Sequence, residues 1–174
     1  QIIAGGTDVL VQVREGRRAG KELISIQKLD ELRGVTMEDD GTIRIGSLTV
    51  FSHITHDPII QKYINVLGEA VDMVGGPQIR NAGTIGGNTC NGVTSADSAS
   101  TLHAWEAMVE ITGKNGVRRV PIKDFYLKAG TVDLRVEEGE IQTAILIPKA
   151  SYDRTFGHYL SLIHISEPTR LGMI

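Results

Sequence analysis

The sequence predicts an α+β domain with two lobes, on the evidence of one long helical pattern and two hairpins. Between residues 59 and 74 the apolar positions recur every three or four residues, as they do along one face of a helix. Glycine-containing turns separate the short apolar segments 35–37 and 42–45, and again the segments 108–112 and 117–120. Helices early in the chain and hairpins late in the chain indicate an α+β domain of two lobes.

Three short elements are predicted before the first hairpin. Thr7 or Asp8 can cap a helix over residues 9–14, because both side chains accept hydrogen bonds from free helical N–H groups. Residues 22–26 have the apolar character of a strand. Residues 29–32 are long enough only for a turn or a single helical turn.

Two helices are predicted in the middle of the chain. Thr49 can cap a helix that extends through His56, and Pro58 starts another, since proline suits the first position of a helix. The second helix covers residues 59–74 and ends at Gly75-Gly76-Pro77.

The last predicted elements are a helix over residues 96–107 and a strand over residues 140–147, which Pro148 ends. We place the boundary between the lobes near residue 55. The predicted N-terminal lobe therefore covers residues 1–55, and the predicted second lobe covers residues 56–160.

The two ends of the chain are unusual. The apolar start Gln1-Ile2-Ile3 runs straight into a glycine cluster, so we expect the end of a strand whose beginning is missing. Residues 161–174 keep neither helical nor strand periodicity and resemble translated sequencing-adapter read-through. We expect an artefactual or disordered tail there and leave it out of the fold prediction, with a real but loosely ordered extension as the alternative.

The composition is that of an ordinary globular protein and excludes several classes of function. A net charge of −3 on 174 residues gives no basic field for nucleic acid or anionic membranes. No apolar run reaches the roughly 20 residues that a membrane span needs. The single cysteine, Cys90, cannot form an internal disulfide or hold an iron–sulfur cluster, and it suits a reducing, cytoplasmic compartment.

Two glycine clusters about eighty residues apart, Ala4-Gly5-Gly6-Thr7-Asp8 and Gly83-Thr84-Ile85-Gly86-Gly87-Asn88, are the strongest functional signal. Glycine allows positive φ and lets a ligand approach the main chain, and successive free N–H groups in such a turn bind anions. The pair therefore predicts a ligand with two phosphates, or with one phosphate and one polar ring. Each cluster taken alone is also compatible with a plain turn or bulge.

The clusters and the residues around them resemble the flavin subunits of molybdenum hydroxylases. The segment Ile3-Ala4-Gly5-Gly6-Thr7-Asp8-Val9-Leu10 is similar to the first FAD-binding motif of that family. Pro77-Gln78-Ile79-Arg80-Asn81 followed by Thr84-Ile85-Gly86-Gly87-Asn88 is similar to the second. Thr94-Ser95-Ala96-Asp97-Ser98 and Gly139-Glu140-Ile141-Gln142-Thr143-Ala144-Ile145 match two later patches, and the whole resemblance covers residues 1 to about 160. Within the family it is strongest to xanthine dehydrogenase flavin subunits.

The resemblance implies a two-lobed FAD-binding fold of the vanillyl-alcohol oxidase and p-cresol methylhydroxylase type. The first cluster would wrap the pyrophosphate, and the second would approach the phosphates, the ribityl chain and the flavin. Asp97 would accept hydrogen bonds from a ribityl or adenosine hydroxyl, and Ile141 and Gln142 would set their backbone against the flavin or adenine ring. The cofactor-binding residues implied in this way are Ile2, Ile3, Ala4, Gly5, Gly6, Thr7, Asp8, Thr84, Ile85, Gly86, Gly87, Asn88, Asp97, Ile141, Gln142 and Tyr159.

The resemblance also implies an oxidoreductase that works in a complex and needs no catalytic acid or base from this chain. A large partner subunit would carry the molybdopterin cofactor, and a small iron–sulfur subunit would carry two [2Fe–2S] clusters. Electrons would pass from those clusters through FAD on this chain to NAD or to another acceptor. The alternatives are a flavin subunit of a carbon monoxide, nicotinate or aldehyde dehydrogenase, a self-contained flavoenzyme, and a flavin-free interaction module of the same fold.

Several other residues have competing interpretations. Asp97 is also a candidate N-cap of the helix that follows it. Arg80 would either meet a phosphate or anchor its loop through a salt bridge, and we favour the anchor. Trp105 would lie at a lobe surface or at a subunit contact. Cys90 is expected to be a packed thiol near the flavin, and no metal site is predicted.

Overall fold

The computed structural model describes residues 1–93 and 96–153. The strands in these residues are β1 (Ile2–Ile3), β2 (Ile24–Ser25), β3 (Val35–Met37), β4 (Ile43–Gly46), β5 (Met108–Gly113), β6 (Gly116–Pro121), β7 (Tyr126–Lys128), β8 (Thr131–Val132) and β9 (Ile141–Ile147). The helices are α1 (Val9–Arg14), α2 (Phe51–His56), α3 (Pro58–Tyr63), α4 (Asn65–Asp72), α5 (Pro77–Arg80), α6 (Ile85–Cys90), α7 (Asp97–Ala104), α8 (Ile122–Phe125) and α9 (Lys149–Tyr152). Single 3₁₀ turns lie at Asp30–Leu32 and Val136–Glu138.

A five-stranded antiparallel sheet in the order β3-β4-β9-β5-β6 forms the centre of the molecule. Both predicted hairpins supply its outer strand pairs, and β9 is inserted between them. The ladder between β5 and β9 shifts register between Glu110 and Ile111, which is the sign of a β-bulge. This bulge lies near the point where β9 begins, so it affects the part of the sheet closest to the glycine clusters.

Helices α2, α4 and α7 bury the apolar side of this sheet. Alternating isoleucines of β4 and β9 contact leucine and isoleucine side chains of the helices in one continuous core. Ile45, Ile145, Leu67 and Leu102 are all fully buried in it. Since burying such a side chain contributes about 1.5–3 kcal/mol, this core holds the fold together.

A small β1-α1-β2 unit precedes the sheet. Strands β1 and β2 are parallel, with Ile2 opposite Ile24, and α1 makes the crossover between them. No residue of α1 is buried. The first glycine cluster, which lies between β1 and α1, brings the unit into contact with the backbone of Ala82.

The predicted helix over residues 59–74 is wrong as one continuous element. It is interrupted at Ile64, which takes φ −142° and ψ 44° and separates α3 from α4. The buried side chain of Ile64 stays in the same core as its neighbours on both sides, so the apolar spacing survives the break. Pro58 does begin α3, but the cap is Asp57, whose carboxylate accepts from the N–H groups of Ile59 and Ile60.

Other predicted boundaries differ from the structure in smaller ways. Val50, not Thr49, is the N-cap of α2, because the Thr49 hydroxyl bonds the backbone of Gly34 instead. The predicted strand over residues 22–26 is reduced to Ile24–Ser25. Trp105 is only 3% exposed and belongs to the core, so neither predicted surface role is correct.

The α+β class is confirmed, and the division into lobes stays a prediction. The central sheet takes strands from both sides of residue 55, since β4 lies before it and β9 after it. The predicted tail over residues 161–174 lies outside the described residues.

Candidate functional site

A cavity of about 520 Å³ lies between the β1-α1-β2 unit, helix α6 and the start of β9. This volume falls within the range of about 300–1,000 Å³ typical of cofactor pockets. Both glycine clusters line it. Of the predicted site residues, those that line the cavity are Ile2, Ala4, Gly5, Gly6, Thr7, Asp8, Thr84, Gly86, Gly87, Asn88, Ile141 and Gln142.

The first cluster presents unused hydrogen-bond donors. Within the described part of the chain, the backbone N–H groups of Gly5, Gly6, Thr7 and Asp8 have no acceptor. Gly6 takes φ +77°, a left-handed conformation that turns the chain from β1 into α1. Four consecutive free N–H groups at a turn before a helix make a concave site for an anion.

The two clusters are in direct contact with each other. A Cβ atom built on Gly5 would lie 1.9 Å from the backbone oxygen of Ala82, immediately before the second cluster. Only glycine fits at this position. Gly5 therefore sets the spacing between the two segments that line the cavity.

The second cluster differs from the first because the N–H groups of its helical turn are already used. The N–H groups of Ile85 and Gly86 donate to the carbonyl oxygens of Thr49 and Ser47, at 3.0 and 2.9 Å. The N–H of Gly87 donates to the Thr84 hydroxyl at 3.1 Å, because Thr84 is the N-cap of α6. The expectation of free N–H groups is thus wrong here, and the second cluster is the first turn of a helix.

The glycines of the second cluster allow close packing. A Cβ atom on Gly86 would lie 2.6 Å from the Cβ atom of Ser47 and 2.7 Å from its backbone oxygen. Helix α6 therefore lies directly against the residues that follow β4. The Asn88 carboxamide then accepts from the Ser98 hydroxyl at 2.5 Å, which joins α6 to α7.

At the C-terminal end of α6 a small polar network faces β9. The Gln142 side-chain oxygen accepts from the Thr89 hydroxyl at 2.8 Å and from the Cys90 thiol at 3.0 Å. Burial raises the pKa of Cys90 to about 12, so the thiol stays protonated, as expected of a packed cysteine. The Gln142 nitrogen and the Ser47 hydroxyl are buried without a partner among the described residues.

Four of the predicted site residues are not among those lining the cavity. Ile85 is fully buried in the core, and Ile3 is half-buried. Asp97 is the first residue of α7, with Ala96 as the N-cap, so its predicted capping role is wrong. Burial raises the pKa of Asp97. Tyr159 lies outside the described residues.

Sequence reasoning missed several residues that line the cavity. Ser47 follows β4. Val132 lies in β8 and Leu134 follows it, and no sequence pattern predicted the short β7-β8 pair. Arg18 and Gln12 lie at the edge beside the first cluster, where the Arg18 guanidinium donates to the side-chain oxygens of Gln12 and Gln1. Arg18 is the one basic residue among the described residues that line the cavity, and it has no carboxylate partner there.

Arg80 anchors its own loop, as predicted. Its guanidinium lies 3.1 Å from a carboxylate oxygen of Asp72 and donates to the backbone oxygen of Gly75 at 2.7 Å. Residues 1–93 and 96–153 contain no cluster of three side chains that could hold a metal ion. The same residues form no helix with the length and apolarity needed to cross a membrane.

Fold and cavity together define the class of protein. The chain belongs to the family described as FAD binding domain in molybdopterin dehydrogenase, whose model matches residues 1–150. The resemblance proposed from the glycine motifs is confirmed at this level.

Individual relatives point the same way. The chain is 44% identical over 148 residues to the xanthine dehydrogenase FAD-binding subunit of Escherichia coli O157:H7, covering 85% of this chain and 50% of that protein. It is 35% identical over 149 residues to the nicotinate dehydrogenase FAD-subunit of Eubacterium barkeri, with the same coverage of both. Carbon monoxide dehydrogenase from Hydrogenophaga pseudoflava matches in structure with a TM-score of 0.80 and 34% identity, over 85% of this chain and 50% of that chain. The chain thus spans about half the length of each of these relatives.

The residues of the cavity fit FAD. Free N–H donors at Gly5–Asp8 suit the diphosphate, and Arg18 adds a positive charge at the same edge. Ser47 and Gln142 line the same cavity, and each carries a buried polar atom without a partner among the described residues, which such atoms need. The apolar side chains of Val132, Leu134 and Ile141 provide a surface for a flat ring.

Proposed function

We propose that this chain is the FAD-binding part of an electron-transfer subunit in a molybdenum hydroxylase of the xanthine dehydrogenase type. In this proposal electrons come from [2Fe–2S] clusters on an iron–sulfur subunit, the substrate is oxidised on a molybdopterin-binding large subunit, and NAD or another acceptor takes the electrons. We also infer a cytoplasmic location, which the single cysteine supports.

The observation that carries the proposal is the run of free N–H donors at Gly5–Asp8, in a chain 44% identical to a xanthine dehydrogenase FAD-binding subunit. A diphosphate suits such a run, because its charged oxygens can accept hydrogen bonds from several N–H groups. The predicted contacts of Ile3, Ile85, Asp97 and Tyr159 with the cofactor remain part of the proposal.

Bound FAD would supply the redox centre, and this chain would hold and orient it. Gly5–Asp8 and Arg18 would neutralise the diphosphate. Helix α6 would supply a rigid wall, because its first-turn donors are all bonded within the protein. The Cys90 thiol, with its raised pKa, would stay neutral at physiological pH beside the cofactor.

A titration of the full chain with FAD, followed by flavin fluorescence, tests the cofactor assignment, with FMN and ADP as comparison ligands. Saturable binding that prefers FAD over both halves is expected, since the cavity spans both glycine clusters. Absence of FAD binding would contradict the proposal and favour the flavin-free interaction module.

The complex is tested separately. Neighbouring genes for an iron–sulfur and a molybdopterin subunit, and co-purification of both with this protein, are expected. Purification of a flavin-loaded protein without either partner would instead favour a self-contained flavoenzyme.

A further inference from the structure

Gln142 has a buried side chain with incomplete hydrogen bonding. The residue is only 4% exposed, and its side-chain oxygen lies 2.8 Å from the Thr89 hydroxyl and 3.0 Å from the Cys90 sulfur. Its side-chain nitrogen has no partner among residues 1–93 and 96–153. A buried amide that lacks a partner destabilises the unliganded protein, so its presence calls for an explanation.

The neighbouring helix does not provide that explanation. The Thr89 hydroxyl is also 3.2 Å from the Ile85 carbonyl oxygen and 3.1 Å from the Gly86 carbonyl oxygen, so it can donate to its own helix without Gln142. Turning the carboxamide by half a revolution exchanges its oxygen and nitrogen and still leaves one end free. The chain therefore keeps a surplus polar group at this point in either orientation.

The residue that carries this incompletely bonded carboxamide lines the cavity. Gln142 and its neighbour Ile141 both line it. The carbonyl oxygen of Gly92 accepts from the N–H of Gly130 at 2.9 Å, which brings the apolar residue Val132 beside the same end of α6. The terminal torsion of glutamine is broad, so rotation about it can reorient the carboxamide relative to the cavity.

We propose that the Gln142 carboxamide binds the polar edge of a planar heterocycle of the bound dinucleotide. This inference rests on the proposed FAD binding and adds a side-chain contact to the backbone contact implied by the family resemblance. A neutral amide among apolar side chains suits a ring with donor and acceptor atoms on its edge. The charged diphosphate would be bound by the first cluster instead. Flavin and adenine rings share this chemistry.

The test compares Gln142→Met with Thr143→Val in the full chain. Methionine keeps the length and volume of the side chain and removes both polar ends. Thr143 is a matched control, because it is the next residue of β9 and is equally buried. Its hydroxyl lies 3.1 Å from Glu110 and 3.2 Å from Thr112, outside the cavity. Two quantities are measured for each variant: the FAD dissociation constant and the melting temperature without FAD.

Gln142→Met is expected to weaken FAD binding by about tenfold or more while the melting temperature of the unliganded chain stays equal or rises. Thr143→Val is expected to melt earlier and to keep the wild-type FAD affinity. Titrations with FMN and with ADP then assign the contact: a loss with FMN identifies the flavin ring, and a loss with ADP identifies adenine.

Three results would overturn the inference. If wild type binds FAD and Gln142→Met binds it equally well, the side-chain contact is wrong and FAD binding stands. If Gln142→Met loses affinity and melting temperature together, as a packing defect would, the side chain is structural. If the wild-type chain fails to bind FAD, both the proposed function and this inference are wrong.

Discussion

Gly5→Ala is the substitution that tests most directly how the two glycine clusters build the cavity. The new Cβ atom would lie 1.9 Å from the backbone oxygen of Ala82 and 2.7 Å from its carbonyl carbon. A comfortable non-bonded contact needs about 3.5 Å, so the two segments have to separate by roughly 1.6 Å. Neither contacting atom is a flexible side chain, and the displacement therefore reaches the main chain on both sides.

Two effects are expected from that separation. Overpacking of this kind costs about 1–3 kcal/mol, which lowers the midpoint of urea unfolding without changing its slope. The free donors at Gly5–Asp8 also move away from the α6 wall, so FAD affinity falls by at least the factor of about ten that 1.4 kcal/mol represents. Urea unfolding of the full chain and a fluorescence titration with FAD measure the two effects.

Gly16→Ala is the matched control. Gly16, unlike Gly5, has a positive φ, +79°, but a Cβ atom there meets nothing within 4 Å, and the residue does not line the cavity. Because of backbone strain, Gly16→Ala should lower the free energy of unfolding by about 1–2 kcal/mol. Its affinity for FAD should stay at the wild-type value. A Gly5→Ala variant that bound FAD as tightly as Gly16→Ala would refute the argument that Gly5 sets the spacing of the cavity.

Three further predictions concern the core, an ion pair and the cavity edge. Leu67→Ala should lower the free energy of unfolding by about 2–5 kcal/mol, since Leu67 is fully buried, whereas Met73→Ala on the surface should change it by less than about 0.5 kcal/mol. Arg118 lowers the pKa of Glu140 to about 2, so this ion pair stabilises the fold above the ordinary carboxyl pKa of 4.5, and the contribution is lost as pH falls through 2. Glu140→Gln should therefore show a shallower fall of melting temperature between pH 4.5 and 2, and an unchanged slope would contradict this. Arg18→Gln should weaken FAD binding severalfold and reduce its salt dependence, with riboflavin, which has no phosphate, as the unaffected control ligand.

The sheet could be predicted from the sequence because its signals are local. Each hairpin is a short apolar segment, a glycine-containing turn and a second apolar segment, and the structure has both where they were expected. Strand β9 was likewise predicted to within one residue at its start. What no local signal provides is the order of the strands, because β9 pairs with β4 across about a hundred residues.

Elements that depend on tertiary contacts were predicted poorly. The break at Ile64 leaves the helical spacing intact, since one non-helical residue still directs Ile60 and Leu67 into the same core. The β7-β8 pair is only a few residues long, and the Gly130 N–H bonds the carbonyl oxygen of Gly92, two residues after α6. Neither feature changes the periodicity of the sequence, so pattern analysis had nothing to detect.

The glycine clusters differ in a property that the sequence does not determine, namely which of their backbone N–H groups are free. Both contain two adjacent glycines next to a side chain that forms hydrogen bonds, and by composition they are equivalent. In the structure Gly5–Asp8 keep their donors free, while Ile85, Gly86 and Gly87 give theirs to Thr49, Ser47 and Thr84. That difference depends on residues 47–49, which are distant in sequence from both clusters. The chemical division of the cavity, with donors on one wall and a bonded helix on the other, is therefore a property of the fold, and residue type alone does not encode it.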